Sequence, residues 1–263
     1  MFTLKQGYKP VKPQSHLRRF FIETNLIHET QAFIRGKDAN HIRNVLRMKP
    51  DDQICLFDPQ GNEYTARITT LASTEIAVEI IHSALAEADD AQVAIHMAQA
   101  FLKDKKMDTL IRQLTELGVH TWHPFFAKRS VPAPNQDRLE HRVERWNKIT
   151  IESQKQCLRN LPLTIIPPCT YEEMIAQGNQ TDLKLIFYEE CAVPIQNIIE
   201  AQTTPPRSVF TVIGPEGGFT PEEIDHARQN GFHVLSLGPR ILKAETAALA
   251  ASVMMQHIFG DMK

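Results

Sequence analysis

The chain has 263 residues, 42% hydrophobic and 23% charged, with 29 Lys and Arg against 31 Asp and Glu and a formal net charge of −2. That is the make-up of an ordinary globular protein, large enough to hide roughly 70–75% of its unfolded surface without staples. No apolar run reaches the ~18 residues of a membrane span, and the four cysteines, Cys55, Cys157, Cys169 and Cys191, form no CxxC pair, which leaves neither a disulfide framework nor a zinc motif and suits reduced thiols in the cytoplasm.

Charge is uneven along the chain. Residues 1–50 hold ten Lys and Arg against three Asp and Glu, and residues 101–160 hold twelve against seven, whereas 51–100 and 161–263 are acidic. Two basic blocks on a nearly neutral protein suggest local contact with a polyanion; a solvated surface is the plain alternative.

Residues 1–16, "MFTLKQGYKPVKPQSH", carry lysines and prolines and no apolar signal core, so they read as a flexible extension. Residues 17–84 read as β-rich. "RRFFIE", "QICLFD", "EYTARITTL" and "EIAVEII" are short runs of β-branched and aromatic residues. "DPQGNE" supplies Asp58, Pro59, Gly61 and Asn62 to a hairpin turn. "KDANHIRNVLRMKP" reads as one short helix, capped by Asp38 and stopped before Pro50. Four or five strands with one helix predict a small barrel.

"ALAEADDAQ" (84–92) is an acidic linker, and beyond it strands alternate with helices. "VAIHMAQA", "VHTWHPFF", "LKLIFYEE", "VFTVIGP" and "HVLSLGP" are the strands; "KDKKMDTLIRQLTELG", stopped by Gly118, and "DRLEHRVERWNKITIESQKQC" are the clearest helices. This order predicts a parallel sheet covered on both faces. Of the eleven histidines, His120 and His123 lie closest together, but no acidic residue stands at HExxH spacing, so no metal is expected.

Two turns carry the chemistry. In "VIGPEGGFTPEEIDHA" a strand runs into Gly214, Pro215, Glu216, Gly217 and Gly218. Thr220, Pro221 and Glu223 then spell a capping box, its cap contributing about 1 kcal/mol. Those side chains and Glu216 make the helix N-terminus acidic and occupied, which is wrong for a polyphosphate. The glycines suit close backbone approach to a neutral or cationic ligand, with positive φ at Gly217 if the turn requires it; a tight structural turn is the alternative. "LSLGPRILKAETAALAASVM" repeats the design, with small residues Ala244, Ala247, Ala248, Ala250 and Ala251 on the helix. Two such turns ending neighbouring parallel strands would share the carboxyl edge, where α/β sheets bind ligands.

These two stretches resemble the signatures of the bacterial small-subunit ribosomal RNA uridine-N3 methyltransferases, the RsmE family of the SPOUT class. "FLKDKKMDTLIRQLTELGV", "KRSV" and "RWNKITIESQKQCLRN" match the family's middle portion, and "HIRNVLRMKPDDQICLFDPQGNEYTARI" matches its N-terminal barrel. The resemblance spans about residues 17 to 260. It implies an α/β architecture: a PUA-like RNA-binding barrel over 17–84 and a SPOUT methyltransferase domain over 90–263, a parallel sheet with a C-terminal trefoil knot. It implies S-adenosyl-L-methionine as cofactor, methylation of N3 of a specific uridine in 16S ribosomal RNA, and a cytoplasmic homodimer with no metal and no membrane contact. The substrate would be the RNA within the small subunit. Other SPOUT reactions (ribose 2′-O or guanine N1 methylation) and a non-catalytic assembly factor are the alternatives.

By the same resemblance, Phe187, Ile213, Gly214, Glu216, Gly217, Gly218, Leu237, Gly238, Ile241, Leu242, Thr246 and Ala247 line the cofactor. Glu245 is the candidate base for the N3 proton, with helix capping or cofactor orientation as its other reading, and Arg240 would hold the uracil oxygens or a phosphate. Arg18, Arg19, Arg43, Arg47, Arg129 and Arg159 are the RNA candidates; Arg43 and Arg47, four apart, would share a helix face. Lys243 stands where the family often carries Arg, keeping the charge without the fork.

Overall fold

The computed structural model describes residues 17–84, 93–103, 105–130, 135–159, 161–202 and 204–262. The expected extension 1–16, and the linker beyond Ala84 as far as residue 92, lie outside them. Contacts divide the chain into two units, 1–88 with 154–162 and 89–153 with 163–263.

The first unit contains β1 (Arg19–Phe21), β2 (Ile27–His28), β3 (Gln31–Arg35), α1 (Gly36–Asn40), β4 (Gln53–Phe57), β5 (Glu63–Leu71) and β6 (Glu75–Ala84). They form a six-stranded sheet in the order β1-β4-β5-β6-β3-β2, with β1 parallel to β4 and the other pairs antiparallel. Alternation sets the buried face: Ala32 and Ile34, Ile54 and Leu56, Ala66 and Ile68, and Ile76 and Val78 all point into one core. The "DPQGNE" turn forms as its residues demand. Asp58, almost fully buried, accepts hydrogen bonds from the backbone of Gln60 and Asn62, the Asn62 amide and the Tyr64 hydroxyl, and Gly61 takes φ +83°.

Strands β2 and β3 lie outside the four β runs read from the sequence. The expected helix over 37–50 forms, but only as far as Val45 and with a change of geometry. After α1 the chain widens into a π-type turn over His41–Val45, in which Leu46 N–H bonds the His41 carbonyl. This keeps Ile42 fully buried while Arg43 reaches the carbonyls of Ala72 and Ser73. Arg47 then turns left-handed at φ +53°, so Arg43 and Arg47 share no α-helical face. Asp38 makes no cap; it pairs with Lys155 at 3.0 Å.

The second unit contains β7 (Ala94–Ala100), α2 (Lys106–Glu116), β8 (Thr121–Phe126), α3 (Gln136–Cys157), β9 (Thr164–Ile165), β10 (Cys169–Thr170), α4 (Tyr171–Gly178), β11 (Leu183–Phe187), α5 (Gln196–Ala201), β12 (Ser208–Ile213), α6 (Pro221–Gln229), β13 (His233–Leu235) and α7 (Ala244–Ile258). The last residues of α3 are counted with the first unit. The sheet is parallel throughout, in the order β10-β8-β7-β12-β11-β13 with β9 beside β8. Being covered on both faces, its central strands read as continuous apolar runs rather than alternating ones. One face is packed by Met107, Leu110, Ile111 and Leu114 of α2, Trp146 of α3 and Ala248, Ala251 and Met255 of α7. The other is packed by Tyr171, Met174 and Ile175 of α4 and Ile224 and Ala227 of α6.

Helix α7 follows β13, the edge strand, yet packs on β7 and β12 at the centre of the sheet. Its Ala244, Ala248, Ala251 and Ser252 are buried at helical spacing, and such small side chains let it approach closely. Gly118 stops α2 at φ +75°, and a Cβ built there would meet Gln256 Nε2 at 2.7 Å, so that side chain would have to shift. Among the described residues no helix is long and apolar enough to cross a membrane.

Candidate active site

The ends of four strands line up. Gln99 of β7 sits opposite Ile213 of β12, Ile213 opposite Phe187 of β11, and Phe187 opposite Leu235 of β13. The glycine turn leaves this edge after Ile213, and the segment Ser236–Lys243 leaves it after Leu235. The two motifs, far apart in sequence, therefore start on either side of Phe187 at one carboxyl edge, the ordinary ligand position of a parallel sheet.

The glycine turn is held from several directions. Gly218 N–H closes it on the Pro215 carbonyl at 3.0 Å. Gln99 Nε2 donates to the Gly214 carbonyl at 3.1 Å, while its own Oε1 is buried with no hydrogen-bond partner. Arg129 Nη1 donates to the carbonyls of Gly217 (3.1 Å) and Phe219 (3.3 Å). The positive φ falls at Gly218, at +68°, and not at Gly217. A Cβ at Gly218 would collide with the Glu189 carboxylate, and one at Gly217 would meet Arg129 Cβ at 3.1 Å. Beyond the turn the capping box is complete: Thr220 accepts from Glu223 N–H, and Glu223 accepts from Thr220 N–H at 2.8 Å.

The second segment is more open. Ser236 Oγ accepts from Gly238 N–H at 3.1 Å. Gly238 has φ +106° and nothing within 4 Å of a Cβ built on it. Ile241 is 84% exposed, Leu237 and Leu242 are half-buried, and Arg240 and Lys243 are exposed. Glu245, Thr246 and Ala247 follow in the first turn of α7. Open space over a glycine, uncovered apolar side chains and nearby carboxylates suit a partly apolar ligand with positive charge.

Lys106, the first residue of α2, joins the two motifs. Its ammonium lies 3.0 Å from Glu216 Oε1 and 3.4 Å from Glu245. Glu216 also accepts the Lys103 backbone N–H at 3.1 Å. Partial burial opposes charge on Glu216, but the Lys106 ammonium and the backbone donors outweigh it and lower its pKa. The hydrogen bond to Glu216 raises that of Lys106. Sequence reasoning missed Lys106, Gln99 and Glu189. No local spacing relates residue 106 to 216 and 245; three lysines in "KDKK" were the only hint.

The six arginines are not gathered at this edge. Arg129 serves the glycine turn. Arg18, Arg19, Arg43 and Arg47 belong to the first unit, and Arg159 to the segment counted with it. Arg18 and Arg47 are exposed. Arg19 is nearly buried, paired with Glu63 at 2.7 Å and lying 4.9 Å over the Phe57 ring. Among the described residues no three His, Cys, Asp or Glu side chains are arranged to hold a metal ion.

Fold and site together define an α/β protein whose two strand-to-helix turns leave one carboxyl edge of a parallel sheet. Residues 89–256 match the RNA methyltransferase domain and residues 34–81 the RNA methyltransferase PUA domain: the chain belongs to this family of RNA methyltransferases. It is 32% identical to a ribosomal RNA small subunit methyltransferase E from Mesomycoplasma hyopneumoniae, over 88% of this chain and 95% of the relative. It is 29% identical to the protein of that name from Buchnera aphidicola, over 93% and 95%. The crystal structure of a ribosomal RNA small subunit methyltransferase E from Neisseria gonorrhoeae, bound to S-adenosyl methionine, superimposes with a TM-score of 0.81 at 31% identity, covering 94% of this chain and all of that one.

Proposed function

We propose that this protein transfers a methyl group from S-adenosyl-L-methionine to N3 of a specific uridine in the 16S RNA of the small ribosomal subunit. The observation that carries the reading is the shared carboxyl edge of the two family motifs, one lined with glycine backbone and the other with open apolar walls. S-adenosylmethionine supplies a methyl group on a cationic sulfur, which leaves as a neutral thioether. The donor set fits: Glu216 and Glu245 tolerate a sulfonium where they would repel a triphosphate, and Gly238 leaves space where a side chain would stand. In this reading Phe187, Ile213, Gly214, Gly217 and Gly218 border the cofactor on one side, and Leu237, Gly238, Ile241, Leu242, Thr246 and Ala247 on the other.

A neutral imide nitrogen is a poor nucleophile, so the N3 proton must leave as the new N–C bond forms. Glu245 accepts that proton, a contribution of about 10²–10⁴-fold when well placed. Arg240, exposed on the same segment, holds the uracil oxygens or a neighbouring phosphate. N3 lies on the Watson–Crick edge, so the base must leave its pair or stack to react. The 17–84 domain positions the RNA through Arg18 and Arg47, with Arg43 and Arg159 as further candidates in the same unit, and the 90–263 domain carries the chemistry. The return of α7 from the sheet edge to its centre supports the knotted connection, and the protein works as a cytoplasmic homodimer.

The test is transfer of label from S-adenosylmethionine to small subunits from a strain lacking the gene. Nucleoside mass spectrometry then finds N3-methyluridine. Label in 2′-O-methylribose or N1-methylguanosine replaces the assigned reaction, and RNA binding without transfer leaves an assembly factor.

A further inference from the structure

We infer that Lys106 is a positioning residue for methyl transfer, holding the Glu245 carboxylate in place by clamping it to Glu216 of the glycine turn. The inference rests on the proposed role of Glu245 and deepens it. The Lys106 ammonium lies 3.4 Å from each Glu245 oxygen, so it holds the carboxylate symmetrically, and 3.0 Å from Glu216 Oε1. These three residues come from three parts of the chain: the start of α2, the turn after β12 and the first turn of α7. Among the described residues Lys106 is the side chain that pairs with Glu245, whereas Glu216 has the Lys103 N–H as a second anchor. Helix α2 packs against α7, so the lysine is carried on an element whose distance from Glu245 is fixed by core packing.

The charge count explains why the lysine is needed. Two carboxylates share one ammonium, and without it two like charges would be left beside each other, driving the side chains apart. A displaced Glu245 cannot take the N3 proton. The glycine turn and the base are thus joined through Glu216 and Lys106, so residues that would hold the cofactor and the group that would meet the uracil share one restraint.

The experiment is a double-mutant cycle between Lys106→Met and Glu245→Gln, with Lys106→Arg as the conservative variant. Cofactor Kd is measured by calorimetry and kcat with saturating cofactor and subunits. Lys106→Met is expected to lower kcat about tenfold or more while changing cofactor Kd by less than about threefold, and Lys106→Arg to recover most of the loss. In the Glu245→Gln background Lys106→Met is expected to change kcat little, because it acts through a group already disabled. Equal loss from Lys106→Met in both backgrounds, or a fall in kcat matched by weaker cofactor binding, overturns the inference. If Glu245→Gln is inactive and Lys106→Met is fully active, the clamp is wrong and the base assignment stands. If Glu245→Gln keeps near-normal turnover, the base assignment fails and takes the clamp with it.

Discussion

Glu223 Oε1 accepts the backbone N–H of Lys128 at 2.8 Å, while its other oxygen accepts the N–H of Thr220 at 2.8 Å. One nearly buried carboxylate thus joins the loop after β8 to the start of α6. Replacing it with Ala strips partners from both N–H groups. A hydrogen bond to a charged group contributes about 1.5–3 kcal/mol, so Glu223→Ala should destabilise the protein by about 3 kcal/mol, and Glu223→Gln by less. The midpoint of urea unfolding reads this directly; an unchanged midpoint would show that water replaces the carboxylate.

The glycine turn gives two distinct outcomes. Gly218 needs its left-handed φ of +68°, and a side chain there meets the Glu189 carboxylate, so Gly218→Ala should cost at least about 1 kcal/mol of stability. Gly217 has no such φ; a side chain there presses on Arg129, whose guanidinium holds the turn. Gly217→Val should therefore leave the fold intact and abolish cofactor binding by displacing the turn. Calorimetry is the check, and a wild-type dissociation constant would reduce the turn to a structural connection.

Stability should fall with acid because of a histidine group on the sheet. The ring of His96 lies 5.9 Å from that of His120 and 5.7 Å from that of His123, and stacks 6.3 Å from Phe210. Burial, then the neighbouring His123 and His120, push the His96 pKa down to about 4. Burial also lowers that of His123, against the opposing effect of its hydrogen bond with Gln177. A depressed histidine pKa means the unfolded chain binds more protons below its ordinary value of about 6.5. Stability contributed by neutral His96 is present above that value and is lost as pH falls towards about 4. Urea midpoints between those pH values should slope downward with acid, and His96→Phe should flatten the slope; an equal slope in the variant assigns the effect to other groups.

What the sequence disclosed was local. The capping box at Thr220 and Glu223, the turn at Asp58 and the stop at Gly118 each depend on residues a few positions apart, so their chemistry is written in order. The alternation of strand and helix foretold the parallel sheet for the same reason. The helix read over 37–50 forms across Gly36–Val45, but its π-type second half, missing cap and early end depend on distant partners: Arg43 bonds the carbonyls of Ala72 and Ser73, and Asp38 pairs with Lys155. The site was half legible. Both glycine motifs announced themselves, yet the lysine between them sits 110 residues from one carboxylate and 139 from the other, a separation only the folded sheet closes. Arg129 reads in the sequence as a cation for RNA; its bonds to Gly217 and Phe219 place it on the turn.

Binding of RNA and of cofactor should separate by mutation. Arg18 and Arg47 are exposed in the first unit, whereas Arg43 is engaged with the 72–73 carbonyls and Arg19 with Glu63. Removing the engaged arginines disturbs the sheet that carries them, so the clean test is Arg18→Ala with Arg47→Ala. For every phosphate no longer neutralised, the slope of log affinity against log salt falls by about 0.7–0.9, depending on strandedness. The double variant should therefore bind RNA more weakly and with a slope flatter by about 1.4–1.8 if each arginine meets one phosphate. Cofactor affinity should not change, because the motif turns belong to the second unit. Filter binding across a salt series supplies the slope and calorimetry the cofactor constant. An unchanged slope with weakened binding would mean that these arginines act on the fold of the barrel and not on phosphate.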